Sequence, residues 1–218
     1  MFFSRKSYFY PDMGKNFQIT QYEIPIASSG VLHINKKPVR ITRINLEEDP
    51  ARIVHVGTIT KAEYTLLDYN RSGVPLCEIV TAPDFTDTKE VRGFLEELSS
   101  ILEYLGVYDP NIEGSMRIDA NISVAETRVE VKNISGFKDV EKALSYEMIR
   151  QQNMVRRGES IIRETRGWDA VSGVTHSLRA KEEEEGYGYI FESDLPRIGL
   201  KKEKLEHIRK QLPELAAH

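Results

Sequence analysis

Hydrophobic and polar residues alternate with a period of two through much of the chain, which is typical of β-strands with one buried face. Residues 31–35 and 39–47 alternate on either side of residues 36–38, so they predict a β-hairpin. Residues 114–124 and 128–132 alternate more sharply around a short connection, so they predict a second antiparallel pair. The sequence therefore favours antiparallel sheet.

Helical spacing of apolar residues replaces this alternation in three places. The clearest case is residues 87–106, where Asp87 and Glu90 can form a capping box and Gly106 suits a left-handed C-terminal cap. Further helices are predicted over residues 137–157 and 201–212. The inward side of the second helix is expected to consist of Val140, Leu144, Met148 and Val155.

The remaining patterns complete the fold prediction. Residues 161–168 and 174–181 predict another hairpin. Residues 5–12 join a basic pair to an aromatic run, which predicts either an edge strand or a basic, aromatic rim that faces a phosphate or a base. The chain as a whole is predicted to be α+β, a mainly antiparallel sheet backed by helices.

Two carboxylates interrupt apolar strand faces. Glu48 continues the stripe of Ile44 and Leu46, and Glu78 shares a predicted face with Leu76 and Val80. A carboxylate on an apolar face is costly unless a partner compensates its charge. These two positions therefore suggest a common site.

The polar face of the second antiparallel pair is unusually rich in charge. It carries Arg117, Asp119, Asn121, Glu130 and Lys132. Carboxylates with arginines between them suit Mg²⁺ and phosphate oxygens. The same residues also suit structural salt bridges between facing strands, and the residue pattern alone leaves both interpretations open.

Composition limits the classes of function. The 218-residue chain has a net charge of −4, so any binding of nucleic acid or of an anionic membrane needs a local patch. The single cysteine, Cys77, excludes an internal disulfide and a multi-cysteine zinc site and is typical of a reducing cytosol. No stretch is apolar for long enough to be a signal peptide or to span a bilayer. We therefore expect a cytoplasmic protein without a membrane association.

Several familiar catalytic motifs are absent from the sequence. It contains no P-loop, no Gly-x-Gly-x-x-Gly, no His-Glu-x-x-His and no Gly-x-Ser-x-Gly, and its histidines show no metal-ligand spacing. What remains is oxygen chemistry, and phosphoryl transfer by a metal ion and arginines is physically coherent with it.

Seven segments, in order along the chain, resemble the B-type subunit of glutamine-dependent tRNA amidotransferases, whose E-type paralogue shares much of the pattern. They are residues 5–12, 41–49, 67–80, 113–123, 129–134, 140–144 and 163–166. The resemblance covers nearly the whole chain. The segments at 132–137 and 140–144 together are more similar to the B type than to the E type.

The resemblance implies an ATP- and Mg²⁺-dependent enzyme subunit with a catalytic fold like that of glutamine synthetase. Such a subunit phosphorylates the side-chain carboxylate of Glu or Asp misacylated onto tRNA(Gln) or tRNA(Asn). Ammonia from a partner amidase subunit, the A type, then displaces the phosphate, in a complex that also contains a small C-type subunit.

Site residues follow from the same resemblance. By position in the motifs, Glu48, Glu78 and Asp119 match metal ligands. We assign Arg43 and Arg117 to stabilising the phosphate or acyl phosphate, and Lys6 to the nucleotide or tRNA rim.

The chain also departs from the family pattern. An upstream Glu-x-His ligand pair and the C-terminal helical tail are not in the sequence, and residues 189–194 differ from the usual Tyr-Phe-Pro-Glu-Pro-Asp. We therefore expect residues 1–200 to form a catalytic cradle domain without its N-terminal strands, and residues 201–218 to begin a linker whose tail domain is absent. A non-catalytic tRNA- or partner-binding remnant is the alternative function.

Overall fold

A computed structural model describes residues 1–56, 63–112, 114–180 and 188–213 of the chain. The strands, in chain order, are β1 (Ser4–Ser7), β2 (Phe17–Thr20), β3 (Ala27–Ile34), β4 (Lys37–Glu48), β5 (Arg52–Val56), β6 (Tyr64–Asp68), β7 (Pro75–Thr81), β8 (Ile118–Ile122), β9 (Val129–Ile134), β10 (Glu164–Asp169), β11 (Val174–Ala180) and β12 (Tyr189–Phe191). The helices are α1 (Thr88–Tyr104), α2 (Phe137–Arg156) and α3 (Lys202–Gln211). None of these helices is long and apolar enough to cross a membrane.

The strands form small, mainly antiparallel sheets. Their orders are β12-β1-β2, β3-β4-β7 and β11-β10-β9-β8, and β5 pairs with β6. Only β9 and β10 are parallel among the pairs whose registers are described. This arrangement confirms the predicted α+β class. The closer likeness to glutamine synthetase stays a prediction.

Contacts divide the chain into two compact units. The first consists of Met1–Val31, Arg40–Ala82 and Glu184–Glu206. The second consists of Leu32–Val39, Pro83–Glu183 and His207–His218. The sequence predicts a different boundary, at residue 200, between a catalytic domain and the start of a linker. That boundary stays a prediction.

The predicted hairpins and the second antiparallel pair are confirmed. The turn between β3 and β4 places Asn35 and Lys36 at positive φ angles of 49° and 71°, which suit a two-residue hairpin turn. In the β8–β9 pair, Val129 and Val131 are fully buried, so the alternation separates core from polar face as expected. The pair β10–β11 is also present, although residue 181 lies outside the described residues.

The predicted helices are confirmed together with their caps. The Asp87 carboxylate accepts a hydrogen bond from the backbone N–H of Lys89, and the reciprocal contact of Glu90 completes a capping box. Gly106, after α1, and Gly158, after α2, have φ angles of 69° and 74°, the left-handed conformation that ends a helix.

One inward residue of α2 was wrongly predicted. Val140 and Leu144 are buried as expected, but Val155 is 47% exposed. Instead, the buried face of α2 continues from Ala143 to Glu147 and Gln151, one and two turns later, and both of these polar side chains are fully buried. Apolar spacing alone missed them because buried polar side chains are stabilised by partners on other elements.

The strand at the N-terminus is not an edge strand. β1 pairs with β2 on one side and with β12 on the other. The second pairing is held by Arg5, whose guanidinium donates to the buried Glu192 carboxylate over 2.6 and 2.8 Å. A partner so distant in sequence leaves no local signal, so the sequence could not place β1 in the middle of its sheet.

Candidate active site

Two glutamates of the first unit, Glu47 and Glu78, lie on one face of the β4–β7 pair. Asn45 is directly opposite Glu78 in the antiparallel register, and side chains two residues apart share a face. The buried Asn45 donates from Nδ2 to Oε2 of the exposed Glu78 over 2.8 Å. We call Glu47 and Glu78 the acid pair.

Glu47 connects this face to the first sheet. The hydroxyl of Thr20 donates to Glu47 Oε1 over 2.5 Å, and Gln18 Nε2 donates to Oε2 over 3.3 Å. Both donors are on β2, so Glu47 connects the β4–β7 pair to the sheet that contains β2. Burial raises the pKa of Glu47, and the negative charge of Glu78 raises it further. The hydrogen bond from Thr20 acts in the opposite direction and lowers this pKa.

Three further side chains of this unit, those of Lys6, Tyr189 and Arg43, are linked electrostatically to the acid pair or to one another. The positive charge of Lys6, on β1, lowers the pKa of Glu47. Burial raises the pKa of Tyr189, and the charges of Glu47 and Glu78 raise it further, whereas that of Arg43 lowers it. Tyr189, on β12, therefore borders the acid pair, together with the predicted site residues Lys6 and Arg43.

Glu48 lies on the other side of the β4–β7 pair. Its Oε1 accepts a hydrogen bond from the backbone N–H of Ile19 over 2.7 Å and is 2.5 Å from Nζ of Lys15. Glu48 and Glu78 therefore do not share a face, contrary to expectation. The reason is the register of the two strands. Asn45 is directly opposite Glu78, so the odd-numbered residues of β4 lie on the same face as Glu78, and the even-numbered Glu48 lies on the other.

Asp119 and Arg117 belong to the second unit. Asp119, on β8, is exposed and accepts a hydrogen bond from Nζ of Lys132 over 2.8 Å. Lys132 also lies 3.5 Å from Glu130. Arg117 is exposed immediately before β8. The polar face of β8–β9 thus contains ion pairs, as one of the two interpretations predicted.

Asn45 and Glu47 are the members of the site that the sequence argument passed over. The alternation of residues 41–49 does put both on one face with Arg43. The sequence pattern predicts Glu48 as the site residue instead, because Glu48 interrupts an apolar strand face. The sequence does show Arg, Asn and Glu together on the other face of this strand. Only the register with β7 reveals that this face also carries Glu78.

The acid pair provides ligands that fit Mg²⁺. Oδ1 of Asn45 is buried and has no hydrogen-bond partner among the described residues, so an amide oxygen is available beside two carboxylates. Mg²⁺ is commonly held by one or two carboxylates, with water and substrate phosphates filling its other positions. No cluster of three or more His, Cys, Asp and Glu side chains suited to a metal occurs in the described part of the chain. Within the first unit, Glu48 is on the face opposite to Glu78, while Glu47, Glu78 and Asn45 share a face and supply ligands that fit Mg²⁺. The contribution of Asp119 to a metal site stays a prediction.

Comparison with known proteins gives one consistent result. The family model described as the GatB/GatE catalytic domain matches residues 1–206. The relatives are named as the B-type subunit of aspartyl/glutamyl-tRNA(Asn/Gln) amidotransferase. The chain is similar to that of Saccharolobus solfataricus (53% identity over 99% of the chain and 47% of the relative). It is also similar to those of Methanosarcina barkeri (54%, over 98% and 44%) and Methanospirillum hungatei (57%, over 88% and 42%).

The chain spans about half the length of the curated relatives that it matches. The matched region includes the whole first unit, the second unit except for residues 207–218, and the strands that carry the acid pair. The family model matches most of the chain, and these relatives share more than half of their aligned residues with it. The chain therefore belongs to the GatB/GatE catalytic domain family.

Proposed function

We propose that this chain provides the ATP-dependent step of tRNA-dependent amidation. The substrate is Glu or Asp misacylated onto tRNA(Gln) or tRNA(Asn), as the names of the relatives suggest. The observation that carries the proposal is the acid pair, together with the Asn45 amide, in a chain of this family.

The reaction has two steps. The γ-phosphoryl group of ATP passes to an oxygen of the side-chain carboxylate, which forms an acyl phosphate and releases ADP. Ammonia then attacks the acyl carbon, so that a C–N bond forms, the C–O bond to phosphate breaks and inorganic phosphate leaves. A bound Mg²⁺ would supply positive charge to the phosphate oxygens, and Glu47, Glu78 and Asn45 are the residues that would hold it.

The residues of the first unit suit this chemistry. Glu47, Glu78 and the Asn45 amide oxygen would hold Mg²⁺, because all three residues lie on one face of the β4–β7 pair and offer oxygen ligands. Lys6 and Arg43 bring positive charge to the same face and can bind phosphate oxygens. The metal-ligand roles of Glu48 and Asp119, and the phosphate-binding role of Arg117, stay predictions from the resemblance.

Partners follow from the proposed reaction. The chain has to receive ammonia from an A-type amidase subunit and to bind the misacylated tRNA, and the resemblance adds a small C-type subunit. With a net charge of −4, tRNA binding has to use local patches and not the overall field of the chain. The proposed activity places the chain in the cytoplasm, with tRNA and its synthetases.

A non-catalytic tRNA- or partner-binding role is the alternative. It is favoured by the contacts of Glu48 with Lys15 and of Asp119 with Lys132, because each carboxylate already has a cationic partner. Glu47, by contrast, accepts hydrogen bonds from the neutral side chains of Thr20 and Gln18, and Glu78 accepts one from the amide of Asn45.

Isothermal titration of MgATP into the chain tests the proposal. The wild type should bind MgATP, and Glu78→Gln should weaken this binding by at least the roughly tenfold expected for a lost partner at a metal site. Glu126→Gln is the matched control, because Glu126 is exposed in the connection between β8 and β9. Equal binding by all three proteins, or no binding by the wild type, would overturn the catalytic proposal in favour of the binding role.

A further inference from the structure

Gln21 is the buried residue directly after β2, and its side chain reaches the backbone of β4. The residue is only 2% exposed. Its amide oxygen, Oε1, accepts a hydrogen bond from the backbone N–H of Leu46 over 3.0 Å and another from that of Ile26 over 2.9 Å. Leu46 lies between Asn45 and Glu47 in the chain. A side chain from outside this sheet therefore binds the strand between two of the candidate metal ligands.

The contact takes the place of a missing strand partner. In the order β3-β4-β7, strand β3 begins only at Ala27. Just before it, the N–H of Ile26 donates to the C=O of Ile44 over 3.1 Å. Backbone groups two residues apart point to the same side of a strand, so the N–H of Leu46 faces this side too, beyond the end of β3. The amide oxygen of Gln21 is the acceptor that it meets there.

This hydrogen bond holds a peptide plane within the candidate site. The N–H of Leu46 belongs to the planar unit that joins Asn45 to Leu46. On the other side of β4, Asn45 is opposite Glu78 in the register with β7. The segment that carries Asn45 and Glu47 is thus held from both sides, by β7 and by Gln21. Without the second contact, this segment is free to turn about its own axis, which would change the directions of both side chains.

The two ends of the Gln21 amide differ. Oε1 has two donors, whereas Nε2 is buried and has no hydrogen-bond partner among the described residues. A buried donor without a partner costs free energy, so this amide stabilises the fold less than a fully paired one does. The contacts of Gln21 with the strand therefore come through its oxygen.

We propose that Gln21 is a positioning residue for the acid pair, and that its amide oxygen holds residues 45–47 in the conformation that binds the metal. The inference rests on the proposed function, which supplies the metal. It adds a residue that acts through the backbone of β4. Replacing residues that orient metal ligands typically lowers metal affinity roughly 10- to 100-fold. Gln21 should therefore act on Mg²⁺ affinity, beyond its effect on stability.

Calorimetric titration of ATP at a series of Mg²⁺ concentrations tests this role on the full chain. Gln21→Met keeps the approximate size of the side chain and removes its acceptor. It should raise the Mg²⁺ concentration for half-maximal ATP binding roughly 10- to 100-fold. Gln21→Glu keeps an acceptor oxygen at the same reach, so it should need no more Mg²⁺ than the wild type.

Gln151→Met is the matched control. The buried Gln151 of α2 also accepts a backbone N–H, that of Val124, over 3.0 Å, and its Nε2 donates to Glu147. In urea unfolding, Gln151→Met should lose at least as much stability as Gln21→Met, because both ends of its amide are paired. Its Mg²⁺ dependence should nevertheless be that of the wild type.

Hydrogen exchange of the Leu46 amide is a second measurement, and it needs no metal. In the wild type this N–H should exchange slowly, because a buried oxygen accepts it. In Gln21→Met it should exchange faster, while the amide of Val131 on β9 should exchange as in the wild type.

The outcomes are distinct. A wild-type Mg²⁺ dependence of Gln21→Met, an equal loss in Gln151→Met or an equal loss in Gln21→Glu overturns the inference. So does a Leu46 amide that exchanges in the wild type as fast as an exposed one. Failure of the wild type to bind MgATP would instead overturn the proposed function, and hydrogen exchange would then decide by itself whether Gln21 holds this segment.

Discussion

Asn45 and Glu78 face each other across the β4–β7 pair, and the buried amide of Asn45 donates to the exposed carboxylate of Glu78 over 2.8 Å. Nδ2 of Asn45 thus orients the Glu78 carboxylate, whereas Oδ1 of Asn45 is buried and has no hydrogen-bond partner in the described structure. A buried acceptor without a partner costs free energy. Its position beside the acid pair is explained if that oxygen serves a cation.

The first prediction separates two adjacent glutamates. Glu47→Gln should weaken MgATP binding, because Glu47 shares the face of Glu78. Glu48→Gln should weaken it too if Glu48 is a metal ligand, as the resemblance implies, and should leave it near the wild-type value if the strand face alone defines the site. Glu47→Gln should also raise the melting temperature without ligand. Burial raises the pKa of Glu47, so the ionised carboxylate destabilises the folded chain at neutral pH, and a neutral amide removes that penalty.

Titration calorimetry and thermal unfolding of both variants provide the measurements. A loss of MgATP binding confined to Glu48→Gln would show that the assignment by sequence motif was right and the assignment by strand face wrong. The two variants control each other, because they make the same chemical change at neighbouring positions of one strand.

The second prediction concerns Asp119. Asp119→Asn should change the free energy of unfolding by no more than about 1 kcal/mol, because its ion pair with Lys132 is largely exposed. If Asp119 is a metal ligand, as the resemblance implies, the same variant should weaken MgATP binding, which is the result that we expect. Unchanged binding in calorimetry would assign Asp119 to the ion pair with Lys132 alone.

The third prediction concerns the buried Glu147 on α2. Its carboxylate accepts hydrogen bonds from Arg150, from Nε2 of Gln151 over 3.0 Å and from the hydroxyl of Thr175 over 3.0 Å. Burial acts to raise the pKa of Glu147, but these donors outweigh it and lower the pKa. Glu147→Ala should destabilise the chain by about 3–5 kcal/mol, because the arginine beside it loses its buried counter-charge.

Urea unfolding at neutral pH measures this loss. Glu141→Ala on the same helix is the control and should cost less than about 1 kcal/mol, since the contact of Glu141 with Arg92 is 3.4 Å long and partly exposed. Equal costs for Glu147→Ala and Glu141→Ala would show that the buried network contributes no more than a surface pair.

The fourth prediction is a pH dependence at the start of α1. The ammonium of Lys37 donates to Glu90 over 2.6 Å, and this contact, with the N–H of Thr86, lowers the pKa of Glu90 from 4.5 to about 2. Because the pKa of the folded state is the lower one, ionised Glu90 stabilises the fold above pH 4.5. That contribution is lost as the pH falls towards 2.

Urea unfolding of the wild type and of Glu90→Gln, from neutral pH down to about 2, tests this dependence. The stability difference between them should be constant at neutral pH and should shrink as the medium becomes acid. In a Lys37→Met background it should be smaller throughout the range. A difference that does not vary with pH would mean that the charge of Glu90 contributes nothing.

The sequence by itself determined the elements that depend on near neighbours in the chain. Asp87 and Glu90 define the start of α1, and glycines at positive φ follow the ends of α1 and α2, because capping needs only residues within one or two turns. The alternation around Val129 and Val131 likewise gave the β8–β9 pair and its buried face. The family motifs along the chain were also legible without a structure, and the family comparison confirms them.

The tertiary structure decided which side chains meet. The sequence could not reveal that β12 covers β1, that Glu147 is buried, or that Glu78 shares a face with Glu47 and not with Glu48. Each of these facts depends on a pairing between segments far apart in the chain, and a shift of one residue in register would exchange the two faces of a strand. Patterns within a strand fix which residues alternate, but only its partner strand fixes which of the two faces becomes the site.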